Sequence, residues 1–301
     1  MKNASFFFSY FILLIFIVFS ACQTTDQNSV EYIASINQWQ KERIKKLTAA
    51  DGWTTLTGLH SLKEGSNTFG SAEDMDIQFP KKAPKHIGSF ILDSARVVID
   101  LKEDLGVTID GQEKQITVLK TDQTDAPNIM NWKSIYWFII KRGDKHYVRV
   151  RDTLNVLRQE LKSIPHFPID QKWKIKANFQ ANKNDSKVTM ENVLGMKMDR
   201  TIEGTLHFDY DGKNHELVAL DGGKEKLFLI IADDSTGDET YGGGRYLYIP
   251  RADKNNQTFI DFNQAENPPC AFTKYATCLL PPKENHLAFK ITAGEKNYGG
   301  H

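Results

Sequence analysis

The chain is predicted to be mainly β, an antiparallel β-sandwich or barrel-like fold behind one N-terminal amphipathic helix. Three observations predict it. Short stretches of alternating apolar and polar residues recur along the chain, tight-turn signals separate them, and helical periodicity is concentrated in one segment, Tyr32 to Leu47. With 38 basic residues against 38 acidic, 40% hydrophobic content and three cysteines, the composition is that of an ordinary globular protein. The charge balance argues against a dedicated nucleic-acid-binding module, which carries a basic surface for phosphates, so no nucleic-acid partner is expected.

Phe6 to Phe19 is a nearly unbroken apolar run behind a single charge, Lys2. It is shorter than the roughly 20 residues that cross a bilayer and fits the apolar region of a secretory signal. The run ends in Phe19-Ser20-Ala21-Cys22, which resembles the lipobox of bacterial lipoproteins. Residues 1–21 therefore read as a lipoprotein signal peptide. Cys22 would be the lipidated first residue that tethers an exported protein to a membrane of the cell envelope. Residues 22–30 would form a polar tether. A signal cut elsewhere and an uncleaved anchor are the alternatives. Residues 31–301 read as a single mainly-β domain with a candidate subdomain join at 153–170, where Leu154 to Leu161 suits a short helix before Pro165 and Pro168.

In the first helix, Tyr32, Ile33, Ile36, Trp39, Ile44 and Leu47 recur at helical spacing, with Lys41, Glu42, Lys45 and Lys46 on the other side. Beyond it, Ser89 to Leu92 and Ala95 to Leu101 read as strands. Val107 to Ile109 and Gln115 to Leu119 flank Asp110-Gly111, and Thr205 to Tyr210 and His215 to Leu220 flank Asp211-Gly212; both pairs suit hairpin turns that need positive φ. A third hairpin joins Ile135 to Ile140 with Tyr147 to Arg151 through Arg142-Gly143-Asp144, a turn that accounts for this adhesion-type tripeptide. Trp173 to Phe179, Lys187 to Val193, Lys226 to Ala232, Arg245 to Ile249, Gln257 to Phe262 and Leu287 to Thr292 complete the strand candidates.

Chemistry-bearing residues concentrate in the C-terminal third. The loop Asp233 to Arg245 combines carboxylates with Gly242, Gly243 and Gly244. Its carboxylates could offer oxygen ligands to a divalent ion, although the EF-hand spacing is absent, and its glycines could cradle an anion beside the planar fork of Arg245. A glycine-permitted hairpin connection with a solvated acidic tip explains the same residues. Asp261 and Asn263, two apart at a strand end, project to one face or simply form a turn. Cys270 and Cys278 either close a short loop as a disulfide or remain a pair of buried thiols. No C-x-x-C, H-E-x-x-H or G-x-S-x-G is present, so no metal and no cofactor are expected.

Several segments together resemble a known family. They include Asp51-Gly52-Trp53, Phe69-Gly70-Ser71, Arg149-Val150-Arg151-Asp152, Thr240-Tyr241-Gly242, Gly244-Arg245, Asp261-Phe262-Asn263, Asn267-Pro268-Pro269-Cys270, Tyr275-Ala276-Thr277-Cys278, Glu284-Asn285 and Ala293-Gly294-Glu295-Lys296. From about Trp39 to Tyr298 the chain is similar to the family catalogued as domain of unknown function 1684. The resemblance implies no reaction, but it places Asp233, Thr240, Tyr241 and Arg245 at motif positions and Asp234 and Asp238 at variable ones. Leu279 and His286 depart from the family's proline and arginine. More locally, Phe69-Gly70 to Gly111 resembles the forkhead-associated β-sandwich, without that domain's phosphothreonine-reading residues.

The function expected from the sequence is binding of a small anionic or carbohydrate-like molecule in one C-terminal polar pocket. Thr240, Tyr241, Arg245, Asp261, Asn263 and Asn267 would contact the ligand. A carboxylate-dependent hydrolase using Asp233, Asp261, Glu284 or Glu295 is the first alternative. A structural latch, in which Arg245 pairs with a buried carboxylate and the cysteine loop seals the sheet, is the second.

Overall fold

The computed structural model describes residues 27–299 apart from 28 and 125. The signal-peptide segment and Cys22 lie outside the described residues. Helix α1 occupies residues 29–47, so it begins two residues inside the stretch read as a tether.

The first β unit pairs two five-stranded sheets. One runs β1 (Leu56–Ser61), β10 (Lys145–Asp152), β9 (Ile135–Arg142), β8 (Met130–Trp132), β6 (Thr108–Ile109). The other runs β3 (Ile77–Gln78), β2 (Gly65–Gly70), β4 (Gly88–Asp93), β5 (Arg96–Leu101), β7 (Ile116–Leu119). Strand alternation builds the core between them: Val97, Ile99 and Leu101 of β5 are buried while Arg96 and Asp100 are exposed. Phe69 stacks on Phe90 at 4.3 Å and meets Trp137 edge-on at 5.9 Å, which fixes the spacing of the two sheets.

The second unit is a nearly closed sheet. Its path is β16 (Arg245–Pro250), β15 (Lys226–Asp233), β14 (Lys213–Asp221), β13 (Lys197–Tyr210), β11 (Lys174–Ala181), β17 (Gln257–Asp261), with β12 (Lys187–Glu191) on β13 and β18 (His286–Leu287) on β15. Closure comes just past β17, where Tyr246 and Glu266 exchange two backbone hydrogen bonds of 2.8 Å. Trp173, Phe208, Leu229, Leu247, Ile260 and Phe262 fill the interior.

Residues 153–173 carry the chain from one unit to the other through the short helix α2 (Val156–Glu160). Two smaller apolar clusters lie beside the main cores. One groups Leu47 with Leu161, Ile164 and Phe272; the other groups Leu56 with Met190, Ile230, Ala276 and the cysteine loop. Helix α1 buries Tyr32 and Ile36, four apart, and Leu47. The Tyr32 hydroxyl donates to Asp261 Oδ1 at 2.8 Å, tying the helix to the end of β17.

The antiparallel, mainly β prediction holds, and so do the Asp211-Gly212 and Gly143-Asp144 hairpins. The Asp110-Gly111 hairpin does not. The turn forms, with φ of 51° and 75°, but β6 leaves to pair with β8 and β7 to pair with β5, in different sheets. The Asp110 carboxylate directs this split, because its Oδ1 accepts the Ile129 N–H at 2.9 Å and so holds the approach to β8 against β6. The strand expected over Leu287 to Thr292 shrinks to β18, since the Ile291 N–H is taken by Asp233 Oδ2 at 2.8 Å. Strands β1, β2, β3 and β8 carry weak alternation and were not anticipated.

If the Tyr32 hydroxyl anchors α1, Tyr32→Phe will cost about 1–3 kcal/mol by leaving a buried carboxylate short of a donor. Urea unfolding checks this, with an unchanged m value.

Candidate functional site

Arg245, expected to meet a ligand, is instead 1% exposed and closed over by protein. Its Nη2 donates to Asp233 Oδ1 at 3.1 Å and to the Ile291 carbonyl at 3.3 Å, and its Nη1 donates to the Ala293 carbonyl. Asp233 Oδ2 accepts the Ser235 N–H and hydroxyl at 3.2 and 2.8 Å, and Thr240 touches that hydroxyl at 3.1 Å. The glycines serve this arrangement. At Gly244, with φ of 77°, a Cβ would stand 2.5 Å from the Ile231 carbonyl oxygen, so only glycine admits the chain back into β16. The loop is thus a buried ion-pair latch, and Tyr241 packs beside Trp53 and Phe272.

Asp261 and Asn263 form a different group. Asn263 Nδ2 donates to the Tyr32 hydroxyl at 2.8 Å and the Asp170 carbonyl at 2.9 Å, and Asp261 accepts from Asn263 N and Nδ2 at 3.2 Å each. The single pocket expected around Arg245, Asp261 and Asn263 is therefore not formed: both ends of that set are spent on internal partners. Glu284 lies exposed in a 3-10 turn, whereas its neighbour Asn285 is buried and bonds Val218 and Ile230 across β14 and β15.

Glu295 and Asn267 belong to a third group around Arg43 of α1. Arg43 Nε stands 3.2 Å from both Glu295 Oε1 and Glu266 Oε2, and its Nη2 donates to the Asn267 carbonyl at 2.7 Å. Glu295 Oε2 accepts the Asn267 N–H at 2.6 Å, and Asn267 Nδ2 donates to the Lys296 carbonyl. One guanidinium nitrogen serves two carboxylates, so their charges are incompletely matched. Burial, aided by Glu295, outweighs Arg43 and pushes Glu266 up to about 7.

The sequence reading missed a cavity of about 530 Å³ between the two units. Lys141, Arg142, Arg149 and Arg200 line it together with one carboxylate, Asp199, with Thr277 and Cys278 of the cysteine loop and with Trp53, Met198, Tyr246 and Leu279 on its apolar parts. Cys270 and Cys278 are joined as a disulfide, their Cα atoms 6.1 Å apart, which closes the loop that carries Thr277. Arg149 is 4% exposed, and its Nε is buried without a hydrogen-bond partner. Its Nη2 reaches only Thr277 Oγ1, at 3.4 Å, and its guanidinium lies 5.7 Å from the Trp53 ring centroid.

Electrostatics sharpen the case. Arg142 pairs with Asp122 at 2.7 Å, but among the described residues Arg149 and Arg151 have no carboxylate partner. Arg151 Nη1 instead holds the Gly52 carbonyl at 2.9 Å and Thr55 Oγ1 at 3.1 Å. Burial, with Arg142 and Arg151 adding repulsion, lowers the Arg149 pKa to about 10. A signal for this was present in the sequence. Arg149 and Arg151 share one face of a strand whose other face carries Val148 and Val150 into the first core, which turns two arginines away from that core, and Arg149 of the two reaches the gap between units. Among the described residues no three His, Cys, Asp or Glu side chains group as metal ligands.

Two outcomes follow from these geometries. Arg245→Met is expected to cost about 3–5 kcal/mol, because it strands Asp233 in the interior, and adding Asp233→Leu should recover part of that loss; denaturant titration of the single and double variants measures it. Because the folded Glu266 carboxyl titrates above its unfolded value, its contribution to stability is full below about pH 4.5 and is lost as pH rises through about 7. Thermal midpoints of Glu266→Gln should therefore decline less over that window than those of the parent.

Residues 159–296 match the family profile described as protein of unknown function DUF1684. That span takes in the second unit and the cysteine loop, while Trp53 and Arg149 lie before it. No curated protein matches the chain. Among solved structures, the solution structure of an uncharacterised Haloarcula marismortui protein is similar at 27% identity and a TM-score of 0.40, covering 48% of this chain and 81% of its own. The FhaA forkhead-associated domain, crystallised with the intracellular domain of another protein, is similar at 17% identity and a TM-score of 0.21, covering 31% of this chain and 97% of its own. Over residues 159–296, which hold the Arg245–Asp233 latch, the cysteine loop and both Glu266 and Glu295, the chain is similar to the DUF1684 family.

Proposed function

We propose that the protein binds small anions in the cavity between its two β units, and that it does so tethered to the cell envelope through a lipid on Cys22. The observation that carries the binding reading is the Arg149 guanidinium, 4% exposed, with an unpartnered Nε at a cavity lined by three further cations against one carboxylate, Asp199. A buried charge without a counter-ion is costly, and an anion seated there would supply both the missing charge and the missing acceptor. The guanidinium fork suits carboxylate and phosphate oxygens, and Thr277 Oγ1, already between Arg142 and Arg149 at 3.4 Å from each, would share in the contact. This keeps the anionic ligand expected from the sequence and moves its site from Arg245 to Arg149. The hydrolase reading gains no observation, since Asp233, Asp261 and Glu295 are committed to internal donors and Glu284 stands apart.

Tethering rests on the sequence alone, on Lys2, the run to Phe19 and the residues before Cys22. Among the described residues no helix is long and apolar enough to cross a membrane. Anchoring would hold the cavity near a membrane surface without occupying it.

Inorganic phosphate at low ionic strength should raise the thermal midpoint of the protein, by an amount equal to about 2.7 kcal/mol of stabilisation at a hundred times the dissociation constant. Arg149→Met should remove at least nine-tenths of the phosphate affinity read by calorimetry. An equal midpoint rise in the variant, or none in the parent, overturns the binding reading. For the tether, loss of labelling by a fatty-acid probe in Cys22→Ser is expected, and retained labelling would overturn it.

A further inference from the structure

Resting on the anion-binding reading, we propose that the ligand of the cavity is an organic dianion of the phosphomonoester class, with an apolar body seated against Met198 and Leu279. Three observations lead there. The first is charge. Lys141, Arg149 and Arg200 line the cavity with no salt-bridge partner among the described residues, Arg142 is matched by Asp122, and Asp199 brings one carboxylate to the lining, so three positive charges against one negative leave a surplus of two. A monoanion compensates one of these two charges; a dianion compensates both. A doubly ionised group therefore gains more there than a single carboxylate does.

The second observation is size. At about 530 Å³ the cavity is far larger than a tetrahedral oxyanion requires and falls within the roughly 300–1,000 Å³ range of sites for organic ligands. The third is the character of the remaining lining. Met198, Leu279, Tyr246 and Trp53 supply the apolar lining among the cations. The Tyr246 hydroxyl is occupied, donating to the Leu279 carbonyl at 3.0 Å, so its ring adds apolar surface without a free hydroxyl. Apolar surface beside a cluster of cations matches a ligand that is doubly charged at one end and hydrophobic at the other, and unbranched, polarisable Met198 adapts to such a body.

The test compares four probes with the full chain by calorimetry at pH 8, where a phosphomonoester is a dianion because its second pKa is about 6. The probes are inorganic phosphate, phenyl phosphate, benzoate and benzyl alcohol. The expected order places phenyl phosphate at least about tenfold tighter than phosphate, through burial of the ring, and at least about tenfold tighter than benzoate, through its second charge. Benzyl alcohol should not bind measurably. In Met198→Ser the advantage of phenyl phosphate over phosphate should fall several-fold. Equal affinities for phosphate and phenyl phosphate, benzoate as tight as phenyl phosphate, or a Met198→Ser variant with an undiminished advantage would overturn this inference and leave the anion site standing. If neither phosphate nor phenyl phosphate binds, both the inference and the reading beneath it fail.

Discussion

Strand β10 is covered on both faces, and much of the molecule follows from that constraint. On one face Val148 and Val150 enter the core of the first β unit, where they are 0% exposed. On the other, Arg149 enters the gap that the second unit and its cysteine loop close over, and Arg151 meets the turn at residues 51–55. A strand buried twice ordinarily carries apolar residues on both faces. Placing two guanidiniums there demands compensation, and the chain supplies it unevenly. Arg151 is satisfied by the turn at residues 51–55, whose carbonyls and hydroxyl it gathers, so it acts as a strut between β10 and the entry to β1. Arg149 receives one long contact to Thr277 and the face of Trp53, and its Nε receives nothing. The asymmetry separates a structural arginine from one available to a ligand.

The conspicuous polar residues of the C-terminal third follow a different logic. Arg245 with Asp233, Asn263 with Tyr32, and Arg43 with Glu295 and Glu266 are three polar clusters that fasten the nearly closed sheet to its own loops and to α1. Two of them join segments far apart in sequence, as when Arg43 meets Glu295 across 252 residues, whereas Arg245 and Asp233 are 12 apart. Such clusters contribute less to net stability than their short distances suggest, because desolvation offsets attraction, but removing one member leaves the other uncompensated. They therefore specify how the units close. The disulfide extends the same closure to the cysteine loop and fixes Thr277 at the cavity.

What could be read from the sequence divides along physical lines. Local signals gave the helix, most strands of the second unit and two of three hairpins, because alternation and positive-φ turn residues act within a few positions. The Asp110-Gly111 turn misled, since a turn dipeptide says how the chain reverses and not whether the flanking strands stay together; Asp110 drew β6 toward β8. Polar motifs pointed to the right segments but to the wrong roles. Arg245 and Arg149 look equally polar in sequence, and only the partner's position, Asp233 for one and none for the other, distinguishes latch from site. That partner is a tertiary fact. The pairing of Arg149 with Arg151 on one strand face was nonetheless visible, and the gap it required could have been inferred from the two valines between and before them.

The most direct measurement is a crystal structure of the protein grown at pH 8 with phenyl phosphate. The account predicts phosphate density within hydrogen-bond reach of Arg149 Nε and Thr277 Oγ1, with the ring against Met198 and Leu279. A cavity holding only solvent, with Arg149 turned onto a carboxylate of its own chain, would contradict it.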